Sequence, residues 1–290
     1  MKILNFGSLN IDYVYAVDHF VSAGETISSY NMDKNTGGKG LNQSVAFAKA
    51  GAEISHAGCV GDDGAFLTDY LKKTGVDTSN VSVVDTPTGN AIIQVDKNGE
   101  NCILLFGGAN RVVSEKQIDE VLSKYEKGDM LILQNEISCV DYLIKRAHSL
   151  GISVVLNPSP ITDALLSYPL DQVDWFIMNE IEGKTITGKE EPAQIASEMM
   201  KLFPNSKNVL TLGKDGAIYF DSETYISVPA GKAKPVDTTA AGDTFTGYFF
   251  TGISKGKTPH EALIWATKAA DITITRHGAA ESIPFAGEIE

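Results

Sequence analysis

Cysteine, histidine and long apolar runs are scarce in this 290-residue sequence. The three cysteines, Cys59, Cys102 and Cys139, are odd in number and lack metal-ligand spacing, so we expect reduced thiols in a reducing compartment. None of the five histidines pairs with a serine or cysteine in a triad pattern, and we interpret all five as structural or surface residues. No apolar run approaches the length of a membrane span, and a glycine interrupts the N-terminal run too early for a signal peptide. These absences predict a cytoplasmic protein without a membrane partner.

Positive charge is also in short supply. Lysine and arginine together number 24 against 37 aspartates and glutamates, which leaves a net charge of −13. Such a surface repels the backbone of a nucleic acid and the head groups of an anionic membrane, so we expect a small-molecule ligand instead. An anionic ligand would therefore need local positive potential or a metal cation.

Two common nucleotide-binding motifs are missing as well. Lys39 is followed by Gly40, which breaks the Walker A pattern, and no G-x-G-x-x-G segment follows the first predicted strand. The sequence therefore does not predict a P-loop or a nicotinamide dinucleotide site.

Short apolar, β-branched runs alternate with helical patterns along the whole chain. Several of these runs are apolar on both faces, which is typical of parallel strands covered by helices on both sides of a sheet. The predicted strands are Ile3–Phe6, Met130–Gln134, 153–156, 175–178 and 209–212. This alternation predicts one doubly wound α/β domain, over residues 1–290, with a mostly parallel central sheet.

Four helices have recognisable faces or ends. Leu41, Val45 and Ala48 form one apolar face that ends at Gly51. Ser114 is predicted to begin another helix, with Gln117 completing a capping box. The remaining predicted helices span residues 140–149 and 259–275.

Two stretches interrupt the alternation and resemble an antiparallel ribbon. They comprise residues 27–32 and the pair 91–95 and 102–106, and they predict a small β lid from segments of about 12–36 and 88–108. A lid beside a ligand site would exclude water, although surface hairpins without a function fit the pattern equally well. Exposed lid edges could pair between two subunits, which predicts a homodimer.

Residues 237–245, Asp-Thr-Thr-Ala-Ala-Gly-Asp-Thr-Phe, combine small residues with an aspartate ahead of an apolar segment. As a loop that enters a helix, this stretch leaves the backbone N–H groups of Ala240, Ala241 and Gly242 free to bind an anion. Asp243 could then take a proton from a hydroxyl that attacks a bound phosphate. The alternative is that Asp243 only begins the helix.

A second stretch, residues 37–43, reads Gly-Gly-Lys-Gly-Leu-Asn-Gln. Its glycines permit the backbone to approach a ligand, and Asn42 in the first helical turn could present its amide to a hydroxyl group. A flexible turn is the alternative.

Polar groups also recur at the ends of predicted strands, which meet at one edge of a parallel sheet. These groups are Asn10, Asp12, Glu136, Asn179, Glu182, Thr211, Gly213, Asp237 and Asp243. They predict a lined cleft at that edge.

Together these stretches resemble the ribokinase family of carbohydrate kinases, also called the pfkB family. The resemblance extends from Ile3 to about Pro284 and includes residues 37–43, 237–245, 107–110 and 278–284. It implies a ribokinase-like fold and an ATP-dependent kinase that phosphorylates the 5-hydroxyl of D-ribose with Mg²⁺ and K⁺. Deoxyribose, a ketohexose or a nucleoside are alternative acceptors, and a non-catalytic sugar sensor is an alternative of another class.

The resemblance also implies roles for individual residues. Asp243 would be the general base, and Ala240, Ala241 and Gly242 would form the anion hole. The implied sugar-binding residues are Asn10, Asp12, Gly38, Lys39, Asn42, Glu136 and Asp243. The implied nucleotide-binding residues are Asn179, Glu182, Thr211, Gly213, Gly216, Gly242 and Thr267. The implied K⁺ site comprises Asp237, Thr239, Thr273, Arg276, Gly278 and Ser282.

Three of these assignments have plain structural alternatives. Lys39 could reach a phosphate or lie in solvent. Residues 275–278 could simply be a helix C-terminus with favourable cations. Asn90 in the lid departs from the pattern and could contact the sugar or only shape a turn.

Overall fold

The computed structural model describes residues 1–289, and within them the chain forms thirteen β-strands and eight α-helices. The strands are β1 (Ile3–Phe6), β2 (Asn10–Ala16), β3 (Asn31–Gly37), β4 (Ile54–Val60), β5 (Asp77–Val83), β6 (Gly89–Val95), β7 (Asn101–Phe106), β8 (Met130–Gln134), β9 (Ser153–Asn157), β10 (Trp175–Asn179), β11 (Lys207–Thr211), β12 (Ala217–Phe220) and β13 (Tyr225–Val228). The helices are α1 (Lys39–Lys49), α2 (Ala65–Lys73), α3 (Glu115–Leu122), α4 (Val140–Leu150), α5 (Glu180–Thr187), α6 (Pro192–Leu202), α7 (Ala241–Ser254) and α8 (Pro259–Thr273).

Nine strands form the main sheet in the order β13-β12-β11-β10-β9-β8-β1-β4-β5. The adjacent strands of the sheet pair in parallel from β5 through β4, β1, β8, β9 and β10 to β11. Strands β12 and β13 extend the sheet antiparallel at one edge. Helices cover both faces, so the predicted doubly wound α/β fold is confirmed.

The pleat of the central strands divides the core into two layers. In β1, Ile3 packs with α1, α2, α7 and α8, whereas its neighbour Leu4 packs with α3, α4 and α6. The same alternation separates Ile132 from Leu131 in β8. Because successive side chains point to opposite faces, a strand buried on both sides must be apolar at every position, as the sequence pattern indicated.

A second sheet of four strands, in the order β3-β2-β6-β7, forms the small lid predicted from the sequence. The predicted strand at residues 27–32 is wrong, since the strand lies at Asn31–Gly37 and pairs Gly37 with Asn10. The first five residues of β3 are exposed and mostly polar, so no apolar alternation marked the strand. Strands β2, β4, β5, β12 and β13 also had no predicted counterpart.

The N-terminal cap of α3 differs in one detail from the prediction. The Ser114 hydroxyl accepts a hydrogen bond from the backbone N–H of Gln117, as a helix cap does. The Gln117 side chain does not return the bond, so the predicted reciprocal box is wrong; it donates instead to the Gly58 carbonyl at 3.1 Å and to the Ser82 hydroxyl at 3.2 Å. Interior polar groups compete for this amide because unpaired buried groups are destabilising.

Two predicted helices differ from the structure only at their ends. Helix α4 continues one residue beyond its predicted end at 149, and α8 ends at Thr273 rather than at 275. Within residues 1–289, no helix is both apolar and long enough to cross a bilayer.

Candidate active site

The first residues of α7 form an open, amide-lined helix terminus. Ala240 adopts a left-handed conformation with φ of 60°, which costs a non-glycine residue about 1 kcal/mol and turns the chain sharply into the helix. Among the described residues, the backbone N–H groups of Ala240 and Gly242 find no acceptor, while that of Ala241 makes a long bond of 3.3 Å to the Thr238 carbonyl. The space beside Gly242 is open, with no atom within 4 Å of the position a Cβ would take. This terminus can receive an anion.

Asp243 lies in the first turn of α7 and is only 8% exposed. Its carboxylate accepts a hydrogen bond from the Asn42 amide at 3.1 Å and another from the Gln43 amide at 2.9 Å. The two segments singled out in the sequence, residues 37–43 and 237–245, therefore meet at this carboxylate.

A close crossing of α1 and α7 makes this meeting possible. A Cβ added to Gly247, one turn beyond Asp243, would overlap Ala46 of α1. Since Ala46 lies about one turn beyond Asn42 and Gln43, the small residues at the crossing set the separation at which their amides reach Asp243.

Glycines at the start of α1 serve protein packing as well as any ligand. Gly38 precedes the helix with φ of 92°, a conformation that favours glycine. A Cβ on Gly40 would overlap the backbone of Gly7 and Ser8, so α1 rests directly on the loop after β1. The close approach required at Gly40 is to this loop.

Three carboxylates act electrostatically on the half-buried ammonium of Lys39. Burial opposes the charge of Lys39, but the carboxylates of Asp243, Glu136 and Glu182 outweigh it and raise its pKa. Burial raises the pKa of Glu136 despite the nearby Lys39 charge and hydrogen bonds from the Ser8 hydroxyl and the Lys39 backbone N–H. The Lys39 ammonium therefore supplies positive charge among several acids, although the whole protein is strongly negative.

The Asn179 and Glu182 pair forms a complete capping box at the start of α5. Glu182 accepts from the backbone N–H of Asn179 at 2.9 Å, and Asn179 accepts from that of Glu182 at 2.9 Å. Burial raises the pKa of Glu182, and the Lys39 charge offsets part of that effect. Local capping thus accounts for the Asn-x-x-Glu spacing and also fixes a carboxylate near Asp243 and Lys39.

The lid contributes Asn10 and Asp12 from β2. A Cβ on Gly37 would overlap the Asp12 carboxyl group, so this glycine makes room for it. Burial, with repulsion from Glu136 and Glu281, raises the pKa of Asp12 to about 7. The Asn10 side-chain carbonyl accepts from the amide of Asn110 at 2.8 Å.

Several residues predicted to bind a nucleotide lie together at the ends of β10 and β11, where Asn179 is paired with Thr211 in the sheet register. The Thr211 hydroxyl donates to the Met178 carbonyl at 3.4 Å, which ties the end of β11 to β10. Gly216 has φ of 104°, and a Cβ there would overlap the backbone of β13, so packing alone requires glycine. Gly213 is exposed with φ of 53°, and Thr267 in α8 is buried with no partner for its hydroxyl within residues 1–289.

The residues predicted to bind K⁺ lie around the loop that precedes α7. The Asp237 carboxylate accepts from the backbone N–H of Thr239 at 2.9 Å and of Gly278 at 3.1 Å. Partial burial works against its charge, but these hydrogen bonds hold the pKa of Asp237 below its usual value. Asp237 therefore joins two chain segments with an ionised carboxylate.

The other predicted K⁺ residues direct their side chains elsewhere. The Thr273 hydroxyl is buried and donates to the Ala269 carbonyl, and the Ser282 hydroxyl donates to the Ala279 carbonyl. The Arg276 guanidinium pairs with Glu288 at 2.6 Å. These three side chains therefore serve hydrogen bonds and an ion pair within the protein, and the backbone carbonyls of the same segments are candidate ligands for a monovalent cation.

For a divalent metal, the part of the chain that the structure describes offers no cluster of three or more histidine, cysteine, aspartate or glutamate side chains. Mg²⁺ commonly keeps several waters and uses one or two carboxylates, so the nearby Asp243 and Glu182 fit such a site.

Sequence reasoning did not assign three buried amides that the structure brings to the site. They are Gln43, Gln134 and Asn110. A sequence signal existed for each, because Gln43 directly follows Asn42, Gln134 ends an otherwise apolar strand, and Asn110 lies in the segment 107–110. None of these signals identifies the atom that the amide contacts.

Comparison with known proteins identifies the family to which this chain is similar. The profile described as "pfkB family carbohydrate kinase" matches residues 1–286. The chain is 35% identical to the ribokinase of Haemophilus influenzae, over 96% of this chain and 94% of that protein.

Solved structures show the same likeness in three dimensions. The ribokinase of Thermotoga maritima matches with a TM-score of 0.88 and 35% identity, over 100% of this chain and 98% of that one. The Arabidopsis thaliana ribokinase, solved in complex with ribose and ATP, matches with a TM-score of 0.87 and 30% identity, over 99% and 97% of the two chains. The chain combines the shared fold and a buried aspartate at a helix terminus with a family match over nearly its whole length. It belongs to the pfkB family of carbohydrate kinases.

Proposed function

We propose that this protein transfers the γ-phosphate of ATP to the 5-hydroxyl of D-ribose and forms ribose 5-phosphate. The observation that carries this proposal is the position of Asp243, a buried carboxylate in the first turn of a helix at which the backbone N–H groups of Ala240 and Gly242 are free within the described residues. The similarity to ribokinases over almost the full length, one of them solved with ribose and ATP, supports the choice of substrates.

The sugar would lie between α1 and the lid strand β2. The Asn42 carbonyl oxygen is buried without a partner in the described chain, so it can accept a hydrogen bond from a sugar hydroxyl. Asn10, Asp12 and Glu136 would add further acceptors, while Gly38 would let the backbone approach the ring. A sugar that lacks a hydroxyl at one of these positions would leave the matching acceptor of the protein unpaired, so it would bind more weakly.

Asp243 would remove the proton of the 5-hydroxyl as its oxygen attacks the γ-phosphorus. Charge on the transferring phosphoryl group would be stabilised by the amides of Ala240, Ala241 and Gly242 and by the nearby Lys39 ammonium. The nucleotide would extend over Asn179, Glu182, Thr211, Gly213 and Gly216 towards Thr267.

Two cations would complete the site. When bound through waters near Glu182 and Asp243, Mg²⁺ would neutralise phosphate charge. K⁺ would bind the carbonyl-rich segments that Asp237 joins, including those of Thr239, Thr273, Arg276, Gly278 and Ser282. There it would order the loop that carries Ala240.

A homodimer through the lid is the expected assembly. All six residues of the edge strand β7 are exposed, and four of them, Ile103 to Phe106, are large and apolar. A long exposed apolar edge favours pairing with another copy of the chain, which would bury it.

An ADP-release assay tests the proposed reaction. Purified protein would be mixed with ATP, Mg²⁺ and K⁺ and with one acceptor at a time: D-ribose, deoxyribose, a ketohexose, a hexose or a nucleoside. We expect the highest kcat/KM with D-ribose and a product phosphorylated at C5 by phosphorus NMR. A higher kcat/KM with another acceptor would reassign the substrate, and sugar binding without ADP release would indicate a sensor.

A further inference from the structure

A chain of buried amides connects Asp243 to the interior of the main sheet. Gln43 donates one hydrogen bond to the Asp243 carboxylate at 2.9 Å. Its side-chain carbonyl accepts from Gln134 at 2.6 Å, and Gln134 also donates to Asn5 at 3.0 Å. Asn5 in turn donates to the Gly40 carbonyl and the Ser44 hydroxyl of α1. We call Asn5, Gln43 and Gln134 the amide chain.

The direction of the hydrogen bonds in the amide chain is fixed by its charged end. An ionised carboxylate can only accept, so the Gln43 NH₂ group must face Asp243 and its carbonyl must face Gln134. The side chains of Asn5, Gln43 and Gln134 are at most 1% exposed, so water does not compete for their hydrogen bonds. Each amide therefore holds the next one in a single orientation.

The inner end of the chain is uncharged. Ser44 lies 2.8 Å from Nδ1 of His56, and burial lowers the pKa of this histidine to about 4. The imidazole is therefore neutral near neutral pH, and it supplies a fixed hydrogen-bond partner instead of a charge. The amide chain thus orients Asp243 without neutralising it.

We propose that Gln43 is a positioning residue for the general base, held in place by Gln134 and Asn5. Asp243 has two carboxylate oxygens, and Gln43 holds one of them while Asn42 holds the other. The Asn42 carbonyl oxygen has no protein partner and would face the sugar, whereas protein groups bind both ends of the Gln43 amide. Gln43 therefore sets which lone pair of Asp243 faces the attacking hydroxyl.

This inference rests on the proposed function, because a base needs positioning only if Asp243 accepts a proton. A base displaced by about 1 Å can lose roughly 100-fold in rate, since proton transfer demands a short and well-aligned contact. Ground-state binding of the sugar depends on other contacts. Loss of Gln43 should therefore change kcat much more than KM.

The test compares Q43L and Q43E with a matched variant, Q117L. Gln117 is a half-buried glutamine that also bonds interior groups, but it lies on α3 on the other face of the sheet. We expect Q43L to lower kcat between about 10- and 100-fold with KM for the sugar changed less than about 3-fold. Q117L should keep the kcat of the wild type even if it lowers thermal stability.

Q43E tests in the working enzyme whether position 43 contacts the Asp243 carboxylate, while the kcat-against-KM split of Q43L tests positioning. A carboxyl at this position would share a proton with Asp243, because two like charges in contact disfavour full ionisation. We expect the kcat of Q43E to rise with pH across a range in which that of the wild type is flat. If Q43L fails to fold, Q43E still decides, because it retains the size of the native side chain.

Two outcomes would overturn the proposal. One is a Q43L enzyme that folds and keeps the wild-type kcat, and the other is a Q43E enzyme with the wild-type pH profile. Both require an active wild type, so they differ from failure of the proposed function, in which the wild type itself would release no ADP with any sugar.

Discussion

Strands β8 and β7 have similar apolar sequences but opposite surroundings. Strand β8 reads Met-Leu-Ile-Leu-Gln and β7 reads Asn-Cys-Ile-Leu-Leu-Phe. Leu131 in β8 is fully buried, whereas Leu104 in β7 is 69% exposed. The first strand lies between β1 and β9 with helices on both sides, and the second is an edge of the lid sheet. Apolar composition identifies a strand, but its place in the sheet order decides what covers it.

The same contrast separates the chemistry of the two regions. The main layer holds Asp243 through buried amides that water cannot reach. The lid holds Asp12 on β2, a strand that is buried at Asn10 and Ile11 and half-exposed from Asp12 to Ala16. We therefore expect changes in the main layer to affect catalysis and stability strongly, and changes in the lid to affect assembly and substrate affinity.

The largest expected effect is the loss of Asp243, the proposed base in the main layer. Asp243→Asn should lower kcat by about 10²- to 10⁴-fold, because the amide cannot accept the hydroxyl proton. Sugar affinity, measured by calorimetry without nucleotide, should change little since Asn42, Asn10 and Asp12 are intact. A variant with near-wild-type kcat would show that another group is the base.

Truncation of a leucine to alanine should destabilise the protein much more in β8 than in β7. Leu131→Ala should lower the free energy of unfolding by about 2–5 kcal/mol, since it leaves a cavity between the sheet and its helices. Leu104→Ala should cost less than about 0.5 kcal/mol at concentrations low enough to keep the chain monomeric. Urea denaturation of both variants measures the difference, and equal losses would contradict the contrast drawn above.

The exposed strand should instead control assembly. Leu104→Asp should convert a dimer to a monomer in light scattering, because it puts a charge into the apolar lid edge. Leu166→Asp is the matched control, since Leu166 is also exposed, at 44%, but lies outside the lid. A wild type that scatters as a monomer at every concentration would remove the proposed lid interface.

The smallest expected effect is a pH dependence that arises from Asp12. Its pKa is raised from 3.8 to about 7, so the carboxyl is protonated below that pH and ionised above it. A carboxylate accepts hydroxyl hydrogen bonds more strongly than a carboxylic acid, so KM for the sugar should fall up to about 10-fold as pH rises through 7. Asp12→Asn should abolish this change, and a persistent slope in that variant would assign it to another group.

Ionisation of Asp12 should lower the stability of the fold, whereas it should strengthen sugar binding. Between about pH 4 and 7 the folded state keeps the Asp12 proton that the unfolded state has released, so the free energy of unfolding should fall as pH rises through this window. Chemical denaturation of the wild type and of Asp12→Asn at several pH values measures this contribution.

Much of the fold was predictable because it depends on local patterns. Strand β1 and strand β8 have the predicted bounds, and the other predicted strands of the main sheet differ by one or two residues. Strand β3 was misplaced because its polar, exposed side chains carry no periodic signal. Gln117 failed to complete its capping box because interior groups from β4 and β5 compete for its amide.

The sequence by itself determined that residues 37–43 and 237–245 lie at helix starts, because glycines, small residues and the apolar runs after them act over a few residues. Only the tertiary structure decided that Gln43 contacts Asp243, 200 positions away, since this depends on how closely α1 and α7 cross at Gly247. It also decided that β7 is exposed while β8 is buried. Burial and long-range hydrogen bonds depend on which elements pack together, and no local pattern contains that information.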